Sequence, residues 1–112
     1  MIYLMTEIIF TSEFKKEFKR LSKKFASLDQ DMKDLIQELN TNPSLGKSLG
    51  NNIFKIRLGI KSKGKGKSGG ARIISYFFMS KSELYLLSIY DKSEQQSISI
   101  KDIRSLIDSI LQ

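Results

Sequence analysis

The sequence predicts an α+β fold: a twisted antiparallel sheet, a two-helix N-terminal hairpin packed on it, and a C-terminal helix. Three observations predict it. Apolar residues recur at helical spacing up to Asn40, alternate with polar residues after Asn52, and return to helical spacing after Ser99. The 112 residues, 40% of them apolar, are read as one domain (residues 1–112) with one modest core. Short turns between the later strands make them antiparallel neighbours, with the helices segregated to one side.

Glu7-Ile-Ile-Phe10 is short, apolar and β-branched, which suits a strand. Phe14, Phe18, Leu21 and Phe25 then mark one face of a helix, whose opposite face is Lys15, Lys16, Lys19, Arg20, Lys23 and Lys24. Ser27 followed by Gln30 resembles a capping box and starts a second helix. Leu28, Met32, Leu35, Ile36 and Leu39 form its stripe, and Asn40-Thr-Asn-Pro43 ends it. Phe54, Ile56 and Leu58 alternate with Lys55 and Arg57, a half-buried strand with two cations on its other face. Ala71–Met79 is a second strand of this half, and Leu84–Tyr90 a third, joined through Ser80-Lys-Ser82. Ser99 and Asp102 fit the cap of a last helix that buries Ile103, Leu106, Ile107 and Ile110.

Composition removes several chemistries. Without cysteine there is no disulfide, thiolate nucleophile or thiolate metal site, and without histidine the commonest general base is missing. No metal ligand set and no cofactor is expected. Apolar stretches such as Ile73–Met79 are far too short to span a bilayer, and Met1–Glu7 lacks the basic start and long apolar core of a signal peptide. A cytoplasmic protein with no membrane association is the simplest reading.

Charge is distributed unevenly. No acidic residue lies between Glu38 and Glu83, while that gap holds nine basic residues: Lys47, Lys55, Arg57, Lys61, Lys63, Lys65, Lys67, Arg72 and Lys81. The net charge of +7 therefore comes from one contiguous piece of chain. Such a field favours a polyanion, most simply nucleic acid, over the plainer reading of a solvated lysine loop. Alternation puts Lys55 and Arg57 on one side of their strand, and Arg72 opens the next strand across the basic loop. Lys92 follows the last strand, just after Tyr90. This cluster has the means for RNA cleavage: arginine makes forked contacts to phosphate, and a lysine with its pKa lowered by neighbouring cations can move protons. It equally suits phosphate binding with no chemistry. Gly66-Lys67-Ser68 is not a nucleotide-binding P-loop, because the required earlier glycine falls at Lys61 and the segment leads into a strand.

Phe54-Lys-Ile-Arg57, Lys63-Gly-Lys-Gly-Lys-Ser-Gly-Gly-Ala-Arg72-Ile-Ile and Tyr85-Leu-Leu-Ser-Ile-Tyr-Asp-Lys-Ser-Glu94 resemble the RelE/ParE toxin superfamily, closest to its RelE/HigB-type branch. The resemblance implies a toxin of a type II toxin–antitoxin system, bound by a cognate antitoxin, that enters the ribosomal A site and cuts mRNA without a metal. It implies Lys55, Arg57, Arg72 and Lys92 as the catalytic set. Arg72 would stabilise the transition state, and Lys55 or Arg57 would orient phosphate or assist proton transfer. Lys61, Lys63, Lys65 and Lys67 would bind RNA. After the last strand the RelE pattern of an arginine and a tyrosine meets Lys92 and, near the tyrosine position, Ile98, while Asp91 sets an anion beside Lys92. A ParE-like inhibitor of DNA gyrase and a noncatalytic RNA-binding module are the alternatives.

Overall fold

A computed structural model describes residues 6–111. The expectation for Met1–Glu7 therefore concerns residues lying mostly outside the described ones. The elements are β1 (Glu7–Phe10), α1 (Ser12–Lys24), α2 (Leu28–Thr41), β2 (Lys47–Gly50), β3 (Ile53–Leu58), β4 (Ala71–Phe78), β5 (Glu83–Asp91) and α3 (Ile100–Ile110). Five strands form one sheet in the order β1-β5-β4-β3-β2. β3, β4 and β5 are the antiparallel neighbours predicted. β2, which the sequence did not announce, adds antiparallel to β3, and β1 runs parallel to β5, which makes the expected antiparallel sheet a mixed one.

Both predicted stripes of the helical hairpin are buried. Phe14, Leu21 and Phe25 of the first, with Leu28, Met32, Leu35 and Leu39 of the second, pack on Ile56, Leu58, Ile73, Leu84, Leu86 and Ile89 of the sheet. Thr11 caps α1, its hydroxyl accepting from the Phe14 N–H at 3.3 Å. The α3 cap is as predicted, Ser99 Oγ accepting from the Asp102 N–H at 3.1 Å. Among the described residues no helix is long and apolar enough to cross a membrane.

Two further expectations are corrected. The helices are not all on one side: Ile103 of α3 packs with Ile53, Ile74, Leu87 and Tyr90, a cluster separate from the one beneath α1 and α2. Since Ile73 belongs to the first cluster and its neighbour Ile74 to the second, the two lie on opposite faces of the sheet. Ser27 also makes no capping box. It takes helical dihedrals and gives no side-chain cap bond; its hydroxyl donates to Asp31 Oδ2 at 2.7 Å and accepts from the Ser62 N–H at 2.8 Å. Thus the start of α2 is tied to the basic loop rather than closed on itself.

A β-bulge sets the alternation of β5. Ile74 pairs with Ser88 but Ser75 pairs with Leu86, leaving Leu87 as the extra residue. Beyond it Ile89 faces the helical hairpin and Tyr90 faces the α3 side.

Candidate phosphate-binding cleft

Strand register brings the predicted cations together. Arg57 of β3 pairs with Arg72 of β4, which pairs with Tyr90 of β5. One row along, Lys47 of β2 pairs with Lys55, whose other neighbour is Ile74. Directly opposed residues lie about 5 Å apart at Cα, and like charges so placed destabilise a sheet. Among the described residues no ion pair reaches Lys47, Lys55, Arg57, Arg72 or Lys92. A cleft of about 1070 Å³ is lined by all five, together with Lys61 and Lys67. Asp31, Asp34 and Glu38 of α2 line its hairpin side, beside Ile56 and Leu58, across β3 from the cationic row.

The loop from Gly59 to Gly70 forms a stapled arch. At its start, the Lys61 N–H donates to Asp31 Oδ2 at 3.1 Å, beside the Ser62–Ser27 bond. At its end, Arg72 Nη1 donates to the carbonyls of Lys67 and Ala71 at 2.9 and 3.1 Å, and Nη2 to that of Ser68 at 3.2 Å. The Lys92 N–H donates to the Gly70 carbonyl at 3.1 Å, which fixes the chain after β5 against the same loop. Gly70 is required here, since a Cβ would stand 2.1 Å from the Leu58 carbonyl oxygen. Gly64 and Gly66 turn the arch through positive φ of 72° and 61°.

The residues singled out from the sequence differ in environment. Arg57 is exposed, and Lys55 and Lys92 are half-buried, all free of ion pairs among the described residues. Arg72 is only 4% exposed and holds the loop carbonyls, leaving Nε–H and one Nη2 hydrogen uncommitted. Lys61 is well exposed, 3.9 Å from Asp34, and Lys65 and Lys67 are exposed. Lys65 does not line the cleft. Lys63 turns inward instead, its Nζ 2.6 Å from Asp91 Oδ1 and 2.9 Å from Ser93 Oγ. Burial would raise the Asp91 carboxyl, but hydrogen bonds from Lys63 and Ser93 more than reverse this and hold it at about 2. Burial raises the Tyr90 phenol, with the Arg72 charge pulling against it, and the buried hydroxyl has no hydrogen-bond partner among the described residues.

Lys47 and the α2 carboxylates were not assigned to the site from sequence. Lys47 sits on a strand with no alternation to reveal it. The acids lie on the polar side of a legible helix, but nothing in the periodicity says what that side faces.

The molecule is thus an open α+β sheet with cations in cross-strand register and a stapled basic loop over one end. The chain belongs to the RelE toxin family: the model for the RelE toxin of RelE / RelB toxin–antitoxin systems matches residues 10–108. It is thus a toxin of a type II toxin–antitoxin system, as the motifs between Phe54 and Glu94 implied. The fold is similar to that of the isolated E. coli RelE toxin, with TM-score 0.60 and 17% identity over 94% of this chain and 98% of that one. It is likewise similar to a double mutant of E. coli toxin RelE in the free state, with TM-score 0.60 and 18% identity over 83% and 90%. A chain of the intact E. coli RelBE toxin–antitoxin complex matches with TM-score 0.60 and 19% identity over 77% and 95%.

Proposed function

We propose that the protein is a ribosome-dependent mRNA endoribonuclease of the cytoplasm, restrained by a cognate antitoxin. One observation carries the reading: Arg57 opposite Arg72 and Lys47 opposite Lys55, uncompensated, in a cleft that also holds Lys92. A sheet that keeps like charges in register gains stability when an anion arrives between them. The E. coli RelBE complex supports the antitoxin as partner.

The reaction is transesterification. The ribose 2′-oxygen forms a bond to phosphorus, the bond to the 5′-oxygen breaks, and a 2′,3′-cyclic phosphate remains. One proton leaves the 2′-hydroxyl and one reaches the departing 5′-oxygen. Arg57 is exposed and uncommitted, so its fork takes the non-bridging oxygens, with the two free Arg72 hydrogens beside it. Lys55 and Lys92 flank this pair and serve the leaving and attacking oxygens. Lys61, Lys65 and Lys67 hold the strand by its backbone.

The test is primer extension on mRNA in a translating extract. Arg57→Ala is expected to lower A-site cutting about 100- to 1000-fold, the usual loss for one preorganised donor. Because Arg57 is exposed and stands opposite Arg72, melting should be unchanged or slightly higher. Equal cutting by this variant removes the proposed centre. Absence of cutting by the wild type, with inhibition of gyrase supercoiling, replaces the reading by a ParE-like one.

A further inference from the structure

We infer that Lys63 and Asp91 are positioning residues of the cleft, and that Lys63, unlike the other loop lysines, does not contact RNA. The inference rests on the endoribonuclease reading for what is positioned, and on geometry for the rest. Asp91 is fully buried, and the Lys63 side chain is only 11% exposed. Their 2.6 Å contact is the shortest ion pair among the described residues. Ser93 closes the pair into a ring, its hydroxyl 2.9 Å from both Lys63 Nζ and Asp91 Oδ1, and its N–H 3.1 Å from Asp91 Oδ1. Lys24 Nζ stands 3.4 Å from the other Asp91 oxygen, and the Phe25 ring lies 5.6 Å from Lys63 Nζ. An ammonium neutralised and enclosed in this way has little left to offer a phosphate.

Its placement determines other side chains. Lys63 is in the loop, and Asp91 immediately precedes Lys92, whose N–H is bonded to Gly70 at the other end of the same loop. The Asp91 carbonyl also accepts from the N–H groups of Glu94 and Gln95, turning the chain directly after Lys92. Lys63 thus clamps the middle of the arch to the residue that orients Lys92. Releasing it frees both the loop backbone and the Lys92 turn, while the count of phosphate-facing cations stays the same.

Two assays separate the roles. The first measures the salt dependence of binding to a single-stranded oligonucleotide whose 2′-deoxy sugars prevent cutting. Lys67→Met is expected to reduce the log–log slope by about 0.7, one single-strand phosphate contact, and Lys63→Met to leave it unchanged. The second measures cutting of ribosome-bound mRNA at saturation, below the melting temperature of each variant. Lys63→Met is expected to cut about ten- to a hundredfold more slowly, the scale of a small misplacement near the chemistry. Lys63→Arg, which retains the ion pair, is expected to recover most of the rate. Where Lys63→Met does not fold, Lys63→Met/Asp91→Leu replaces the pair with apolar groups and is expected to give the same unchanged slope and slow cutting. A slope lowered by the loss of Lys63 makes it an RNA ligand and overturns the inference. A folded variant cutting at the full rate makes the pair a structural staple and overturns the positioning role. A wild type that binds the oligonucleotide but cuts nothing ends the endoribonuclease reading and the positioning role with it, while the slopes still decide whether Lys63 touches RNA.

Discussion

Replacing Arg72 with alanine should loosen the basic loop before it affects any chemistry. The guanidinium makes three hydrogen bonds to the Lys67, Ser68 and Ala71 carbonyls. Bonds from a charged donor contribute about 1.5–3 kcal/mol each. Lys67 and Ser68 are exposed, so water can take over their carbonyls, whereas Ala71 is fully buried. Water therefore offsets most of the loss of the first two, and the bond to buried Ala71, at the upper end of the range, sets a net loss of about 3 kcal/mol. For a domain of this size that lowers Tm by roughly 10–20 °C without unfolding it at room temperature. Limited trypsin digestion reads the loop directly, since Lys61, Lys63, Lys65 and Lys67 are all cleavage points. The variant should be nicked there much faster than the wild type while the helices survive. Arg72→Lys should fall between them, because one ammonium cannot reproduce the fork. A Tm within a few degrees of wild type, with an equally resistant loop, would refute the account of Arg72 as the clasp of the arch.

Acid should weaken the fold through Asp91. Its pKa falls from 3.8 to about 2 on folding, so the unfolded chain binds the proton more tightly. The contribution is complete above about pH 4 and disappears as pH falls toward 2, about 2 kcal/mol in all. Denaturation of Asp91→Asn should show a flatter pH dependence in that window; an identical profile would mean the carboxylate is not held as described. Gly70→Ala should destabilise by several kcal/mol, since its Cβ would stand 2.1 Å from the Leu58 carbonyl oxygen and the β3–β4 ladder must move. Near-wild-type denaturation would show that the loop root yields freely.

What the sequence reveals depends on how local the cause is. Phe14, Leu21 and Phe25 announce α1 by spacing alone, and Ser99 caps α3 through a bond within its own turn. The Arg57–Arg72 pairing was approachable because alternation fixes the face and the loop returns the chain antiparallel. β2 was not legible: Lys-Ser-Leu-Gly has one large apolar residue, and its turn is made by Asn51 and Asn52 at positive φ. Periodicity likewise shows that α3 has an apolar side without showing which sheet face receives it. Lys63 looked like its loop neighbours because its partner, Asp91, lies far along the chain. Composition describes such a loop as free, and its long-range contacts with Ser27, Asp31, Asp91 and Lys92 make it fixed.

The single extra residue at Leu87 has a consequence for charge as well as shape. Because of it, Tyr90 occupies the row of Arg57 and Arg72, and Asp91 lies beneath the helical hairpin with Lys24 and Lys63. Were the same residues paired regularly, with Leu87 taken into the ladder instead of bulged out, the pleat of β5 would reverse from Ser88 onward. A carboxylate would then stand in the arginine row, and a phenol would face the lysines behind it. One bulge in a strand thus acts as a sign bit, deciding whether the end of the sheet presents an anion trap or an internal salt.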